Sequence, residues 1–577
     1  LRETTFSDDL LAYMASAISV HNLSVTVREK HHVKTLLSNV NFEVERGRFI
    51  AVIGASGCGK STLIKTMAGL VEPSDGQIRF AGQSVQDLNE HLPLAVGYLP
   101  QFGAFHEKLT VGENLSTASA LRLPRKVTGE RRQAWMHHIT ELARIDPLLP
   151  QAYRTLSGGQ MRRMALAEEL IGDPAFLLLD ELTSGLDPFS EWEMMAWLRD
   201  LAHNMAKTVV LVTHATNNLH YCDAILFLHK GRLVHFGDYQ SLLDSHGVSS
   251  IAELFAIYQT QDIDLSALDA PAREPSNEAP IEALTIKSMP PPGGLVQMPT
   301  LLARQAKLFW RDHGQIILHI ALILTFPMLV AVFATSGLPQ VRSQTLSLES
   351  NILRTLQDQL FYLKESFQAA SLISGLAMFQ VILLTLIGAN NGAREIAKER
   401  GILAKELRAG LSPAAYVIVK FLQIALLCAV QALWMGWFVK TVCGFPGNLW
   451  DQFMILFATT LAMSTTCLAI SAASPSPERA SLLAIYLVGF QLPLSGAALA
   501  LPDWLSTLCR PFIAAYWGWS GYLQTFRDTR YFDIVRQSSE TWVAPYSLGM
   551  AVLGLHILVA LVATVFLTGR VRRNGSD

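Results

Sequence analysis

Hydrophobic positions along the chain follow two regimes. From Ile18 to about Tyr258, short apolar or β-branched runs (Phe49–Ile53, Ala175–Leu179, Thr208–Val212) alternate with stretches of helical period. That alternation predicts a mixed α/β domain. Beyond about residue 312 the apolar runs lengthen towards the roughly 20 residues needed to cross hydrocarbon. Six spans are expected, over 315–335, 367–390, 414–439, 453–474, 480–502 and 547–569. Between the regimes, residues 259–296 hold Pro271, Pro275, Pro280 and the triplet Pro290, Pro291, Pro292 among acidic and small residues. Such a stretch reads as a linker, because it cannot bury enough apolar surface to fold alone. Leu301 to Arg311 then places apolar and basic groups at helical spacing, which predicts an amphipathic helix on the membrane surface over 297–314. The expected division is a leader 1–17, an α/β domain 18–258, the linker 259–296, the interfacial helix 297–314 and a membrane domain 315–577. Within 336–366, Leu353, Leu356, Leu360 and Leu363 recur at helical spacing; they either extend the flanking spans or dock an outside partner.

Composition agrees with a soluble part joined to a lipid-embedded part, since 50% of residues are apolar yet 16% are charged. A net charge of −2 lacks the basic excess of a nucleic-acid binder, and none is expected as a partner. The 391–412 connector carries Arg394, Lys398, Arg400, Lys405 and Arg408, and the tail carries Arg570, Arg572 and Arg573. The positive-inside rule therefore puts both, with the α/β domain, on the cytoplasmic side of an inner membrane. The chain opens Leu1-Arg2 with no charged-then-apolar leader, so no signal peptide is expected and the sequence reads as cut from a longer one. Six scattered cysteines give no disulfide framework; a Cys443–Cys509 bridge between predicted outside loops stays open.

Chemistry concentrates in three segments. Gly54-Ala-Ser56-Gly57-Cys-Gly59-Lys60-Ser61-Thr62 follows the strand Phe49–Ile53 and opens a helix. Glycines let backbone N–H groups turn inward to cradle phosphate oxygens, and the helix N-terminus adds partial positive charge. Lys60 is expected on the β- and γ-phosphates and Ser61 on Mg²⁺. The run Phe176-Leu-Leu-Leu-Asp180-Glu181 is an apolar strand tipped by two carboxylates, which suits a metal-linked Asp180 and a Glu181 that polarises the attacking water. Leu156-Ser157-Gly158-Gly159-Gln160 begins a helix just before it and offers a second anion nest.

With these residues in this order the chain resembles the ATP-binding cassette family over nearly its whole length. Gln101 after Gly97-Tyr-Leu-Pro is similar to the family's Q-loop, Ser184-Gly-Leu-Asp187 to its D-loop, and His214 in Val-Thr-His to its switch histidine. The resemblance implies catalysis by Glu181, His214 and Gln101. It implies ATP held by the phosphate-loop residues and, from a second subunit, by Ser157, Gly158, Gly159, Gln160 and Asp187. Mg²⁺ falls to Ser61, Gln101 and Asp180. Two departures stand out. Glu168-Glu169 replaces the basic residue common near that position, and no aromatic residue lies in Val25–His32 to stack on adenine. The cassette-first order, Trp310-Arg311-Asp312, Glu395-Ile-Ala-Lys-Glu399-Arg400 and Leu411-Ser-Pro-Ala-Ala-Tyr416 resemble the G-subfamily. That subfamily implies a half-transporter acting as a homodimer, with Glu399 and Arg400 coupling the cassette to the spans.

The fold class expected is thus an α/β P-loop cassette followed by an all-α polytopic membrane domain of about six helices. The function this resemblance implies is ATP-driven export or flipping of a hydrophobic or amphipathic substrate among membrane lipids; the alternatives are a non-transporting ATPase that regulates the envelope, or uptake. The resemblance points to Phe379, Gln380, Gln491 and Leu492 as cavity residues. Lys420, near a cytoplasmic helix end, is expected to snorkel outward.

Overall fold

The computed structural model describes residues 16–571, except 30–31, 89–91, 102, 125, 128, 261–290, 335–337, 339–351 and 498–500. The expected leader and most of the proline-rich linker lie outside the described residues. Two compact units emerge. One holds the chain up to Gly293 together with Lys405–Leu411; the other holds Gly294–Ala404 and Ser412–Arg572.

In the first unit β1 (Ser16–Glu29), β2 (His32–Glu45), β4 (Asp75–Phe80) and β5 (Gln83–Ser84) form an antiparallel sheet in the order β2-β1-β4-β5. The second sheet runs β10-β9-β3-β8-β7-β6. It is built from β3 (Phe49–Ile53), β6 (Val96–Leu99), β7 (Phe176–Asp180), β8 (Thr208–Val212), β9 (Ala224–His229) and β10 (Arg232–Gly237). All of its strand pairs are parallel except β9–β10. Every residue of β3, β7 and β8 is buried, as expected for parallel strands covered on both faces. The covering helices are α1 (Lys60–Met67), α2 (Val111–Arg122), α3 (Gly129–Leu142), α4 (Gly158–Leu170), α5 (Pro188–His203), α6 (Tyr239–His246) and α7 (Ile251–Thr260). Capping residues set several starts: Thr110 with Glu113 for α2, Ser157 with Gln160 for α4, and Asp238 for α6.

The second unit is helical. It contains α8 (Gly294–Arg311), α9 (His313–Val332), α10 (Ile352–Gly392), α11 (Arg400–Arg408, whose last residues belong to the first unit), α12 (Pro413–Cys443) and α13 (Leu449–Ala473). It continues with α14 (Pro477–Gln491), α15 (Ala514–Gln524), α16 (Arg530–Ser538) and α17 (Tyr546–Val571). Helix α8 turns its polar face inward: Gln297, Arg304 and Gln305 are buried while Leu295, Leu302 and Trp310 are exposed. An apolar outer face is what an interfacial helix presents to lipid. Helix α13 packs closely on α10, where a Cβ at Gly392 would stand 2.2 Å from the Ser464 carbonyl oxygen, so only glycine admits this approach.

Among the described residues five helices are long and apolar enough to span a membrane: α9, α10, α12, α13 and α17. The expected span 480–502 is not one continuous helix. Helix α14 has 15 residues, about 22 Å at 1.5 Å each, short of the ~30 Å hydrocarbon core. It gives way to a turn at Pro493, which lacks the N–H that would extend the ladder. The leucines at 356, 360 and 363 lie on α10, which therefore extends the following span; all three are exposed. All six cysteines are free, so Cys443 and Cys509 are unpaired.

Lys420 departs most from expectation. Instead of snorkelling it is 1% exposed, with Nζ 3.1 Å from carboxylate oxygens of both Glu395 and Glu399. Tyr416 donates to Glu399 at 3.0 Å, and Lys398 lies 2.5 Å from Glu395. Two acidic groups on the connector draw the ammonium inward more strongly than water draws it out. Removing one member of a buried ion pair typically costs about 3–5 kcal/mol, because the other charge is left unpaired. Lys420→Met is expected to lower the melting temperature of the purified protein sharply, and Glu395→Gln with Glu399→Gln in the same chain to restore much of it. An unchanged melting point for the single variant would contradict this account.

Candidate functional site

The phosphate loop follows β3 and ends at α1. At Gly54 the backbone φ is 152°, and a Cβ there would meet the Leu228 carbonyl oxygen at 2.2 Å, so the turn out of the strand requires glycine. Gly57 and Gly59 also have positive φ. Lys60 is buried, its ammonium donating to the carbonyls of Gly54 (2.8 Å) and Ala55 (2.9 Å). It therefore lies coiled within the loop whose N–H groups would receive phosphate. Ser61 donates to Asp180 at 3.2 Å, which brings α1 to the tip of β7.

At that tip Glu181 has φ 54°, a left-handed conformation unusual for a residue with a side chain. Its amide donates to the Val212 carbonyl of β8 at 2.9 Å, and this bond holds the reversal in place. The carboxylate accepts from Gln101 Nε2 at 2.7 Å, and its other oxygen lies 3.2 Å from His214 Nε2. Thus Gln101, Glu181 and His214, from three separate strand ends, form one hydrogen-bonded line. Burial pushes the Asp180 carboxyl above its ordinary value; the Ser61 hydroxyl pulls the other way, and the Glu181 charge adds to the rise. Ser61 hydroxyl, Asp180 carboxylate and the Gln101 amide oxygen are hard oxygen donors, and such a set fits Mg²⁺.

Beyond the buried Leu156, Ser157 and Gly158 stand exposed. Ser157 and Gln160 cap α4 reciprocally, at 2.9 and 3.3 Å, and Gly158 is exposed with nothing within 4 Å of a would-be Cβ. Asp187 caps α5 through the amides of Phe189 and Ser190. Ser56 and Thr62 fall in the loop and on α1.

The acidic pair on α4 has a structural explanation. Glu168 and Glu169 are 6% and 9% exposed, and Arg122 of α2 reaches both, at 3.5 and 3.2 Å. Lys405 supplies a second cation, 2.5 Å from Glu168, with its Nζ 3.9 Å from the Phe105 ring centroid. Phe105 lies four residues after Gln101, and α4, which carries Glu168, is capped by Ser157. Sequence reasoning counted Lys405 only as an orientation charge. Two buried glutamates in search of cations were the available signal. Glu399 and Arg400, expected to couple the cassette to the spans, have partners within the second unit: Glu399 has Lys420 and Tyr416, and Arg400 the Ser474 carbonyl at 3.1 Å.

The cavity candidates divide. Gln491 is buried and accepts from the Ala515 amide at 3.0 Å, so it caps α15; Gln380 is fully buried. Phe379 packs edge-on against Phe333, and Leu492 is exposed.

Comparison with known proteins agrees with this anatomy. Residues 37–184 match the family described as ABC transporter, and residues 296–526 match ABC-2 type transporter. An ABC transporter ATP-binding/permease protein of Mycobacterium tuberculosis is 29% identical over 85% of this chain and 55% of its own length. An ABC transporter G family member of Dictyostelium discoideum is 31% identical over 45% of this chain and 36% of its own. A probable sulfate/thiosulfate import ATP-binding protein of Chlorella vulgaris is 32% identical over 36% of this chain and 87% of its own. The chain spans about half the length, or less, of the first two.

The raised Asp180 carboxyl carries a sign. The native state holds that proton more tightly than the unfolded chain does, so the associated stability is present at low pH and is lost as pH rises through the native pKa. At pH 7.5 the ionised Asp180 therefore weighs against the nucleotide-free fold. Asp180→Asn is expected to abolish hydrolysis yet raise the melting temperature without nucleotide at pH 7.5, by a margin that narrows as pH falls towards the ordinary carboxylate range. Calorimetry of the purified chain checks this, and a lower melting point in the variant at pH 7.5 would refute it.

Proposed function

Because this chain belongs to the ABC transporter family, we propose that it is a half-transporter whose two identical copies couple ATP turnover to outward movement of a hydrophobic or amphipathic substrate. The carrying observation is the open Ser157–Gln160 cap, which bonds only within its own helix and so awaits a nucleotide held by another copy. The chain itself is an ATP-hydrolysing, multi-pass membrane protein; its place in a cytoplasmic membrane, with cassette and both termini inside, rests on the Lys/Arg distribution.

In this reading Lys60 exchanges two carbonyl partners for phosphate oxygens, which are charged and so bind the ammonium more strongly. Ser157 and the Gly158 and Gly159 amides of the second copy close over the same phosphates. Bonds made only in the closed dimer bias the conformational equilibrium towards it. Mg²⁺, held by Ser61, Gln101 and Asp180, would neutralise developing phosphate charge. Glu181, oriented by its left-handed backbone, accepts a hydrogen bond from the attacking water, while His214 and Gln101 hold the carboxylate. Loss of the γ-phosphate then removes the bonds that favoured closure.

Coupling is assigned to Lys405, with Glu399 and Arg400 shaping the connector behind it. One ammonium touches Glu168 on α4, the helix that Ser157 caps, and Phe105 beyond Gln101, so it responds to both elements that meet nucleotide. The substrate class rests on the apolar character of Phe379 and Leu492 and on the fused cassette-plus-membrane architecture.

Glu181→Gln is expected to bind ATP normally and to hydrolyse it at least ~100-fold more slowly, the scale of a lost general base; ordinary turnover would refute the assignment. In liposomes, Lys405→Glu should keep ATPase activity but lose most ATP-driven movement of a fluorescent lipid, and adding Glu168→Lys should recover part of it. Full movement in the single variant would remove Lys405 from coupling. No movement of any amphipathic probe by the unaltered protein would remove the transport reading.

A further inference from the structure

The crossing that α14 begins is completed by α15. Helix α14 leaves the connector side at Pro477 and rises about 22 Å to Gln491, which accepts from the Ala515 amide at 3.0 Å. Helix α15 adds about 16 Å, and together the two match the ~37 Å of α13. Close approaches order α15 along α13. A Cβ at Gly518 would meet Thr459 and one at Gly521 would meet Ile455, both at 2.5 Å; one at Gly447 would meet the Thr525 carbonyl oxygen at 2.4 Å. The end of α15 is therefore level with the start of α13, and Ala514 lies about 16 Å deeper. Helix α17 gives the same depth. Tyr546, its first residue, donates to the Asp451 carbonyl at 3.1 Å. About 15 Å further along, His556 Nε2 donates to the Pro511 carbonyl at 2.6 Å. Helices α13 and α17 exceed the ~30 Å hydrocarbon core by only a few ångström at each end, so the residues before α15 stand within it.

A short helix, Asp503–Cys509, and the turn Arg510–Phe512 occupy this depth. The helix buries Ser506 and turns Trp504 and Leu508 outward, and Phe512 is exposed in the turn that follows. Between Leu508 and Phe512 the chain carries a cation, Arg510. Its carbonyl accepts from Trp517 Nε1 at 2.8 Å, and the next carbonyl is the one that His556 holds, so the backbone on both sides is fixed. The guanidinium lies 5.4 Å from the centroid of the Tyr516 ring, and among the described residues no carboxylate pairs with it. Asp503 stands at the far end of the short helix, about 10 Å away. A guanidinium among lipid tails is costly until an anion meets it. Its planar fork matches phosphate oxygens with two parallel hydrogen bonds.

We propose that residues 504–512 form a binding site for an anionic phospholipid, with Arg510 on the phosphate and Trp504, Leu508 and Phe512 along the acyl chains. Arg510 reaches towards the headgroups, and the bilayer thins beside this segment to bring the phosphate down to it. Exposed tryptophan and phenylalanine beside the cation suit that boundary between headgroup and tail. A zwitterionic lipid offers the same phosphate but sets a second cation near the guanidinium, so the site prefers lipids of net negative charge. A second copy of the chain suits this surface less well. A symmetric contact centred on it would set Arg510 against its own like charge.

Fluorescence of the full chain in phosphatidylcholine nanodiscs, carrying a fixed fraction of one brominated lipid, tests the site. The share due to Trp504 is the difference between the chain and its Trp504→Phe variant. Brominated phosphatidylglycerol should quench that share about threefold more strongly than brominated phosphatidylcholine, the scale of one basic residue meeting an anionic lipid. Arg510→Gln should bring the two lipids to parity, and Arg510→Lys should keep part of the preference, each read against its own Trp504→Phe partner. Equal quenching by both lipids in the unaltered chain, quenching by neither (as when a second copy covers the surface), or an undiminished preference after Arg510→Gln would each overturn the site.

Discussion

Parallel register is the constraint on which the cassette depends. Leu99 pairs with Leu179, Asp180 with Val212, and Val52 with Val212, so β6, β7, β8 and β3 all finish at one edge of the sheet. Parallel strands deliver their carboxyl ends together, which is where such sheets bind ligands. Gly54, Gln101, Asp180, Glu181 and His214 come from separate parts of the chain, and this register alone gathers them. The left-handed turn at Glu181 is tolerable because β8 supplies the carbonyl that pins it. Strain at one residue is carried by the central strands β3, β7 and β8, which are buried along their whole length.

Charge burial follows one rule in both units. Glu168 and Glu169 are held by Arg122 and Lys405; Glu395 and Glu399 are held by Lys420, Lys398 and Tyr416. No carboxylate in these groups is left without a donor, as the high cost of an unpaired buried charge demands. Such networks tolerate little rearrangement, so the connector between Glu395 and Lys405 is anchored by ions at both ends.

Much of this was legible in the sequence because its signals are local. The phosphate loop, the Asp180–Glu181 strand tip and the capping serine of α4 each depend on neighbours within a few residues, and spacing reveals them. What escaped depends on distant partners. The inward turn of Lys420 follows from carboxylates 21 and 25 positions earlier, at Glu399 and Glu395. Lys405 finds Glu168 across 237 positions. The broken span after α14 escaped for a different reason: hydropathy averages over Pro493, whereas the backbone ladder stops there. Gln491 read as a polar group facing a cavity, yet its amide serves a helix start that no periodicity announces.

Helix α10 has 41 residues and is thus about 60 Å long, roughly twice the thickness of the oily layer it crosses. Its C-terminal end is seated against α13 at Gly388 and Gly392, where backbones nearly touch. Its far end carries exposed Leu356 and Leu360, and α16 is fastened to it through Arg530 and Tyr362 at 2.8 Å. About half of that length, roughly 30 Å, exceeds the hydrocarbon and stands beyond it, while the buried middle of the helix, from Ala370 to Ile387, packs into the membrane-domain core.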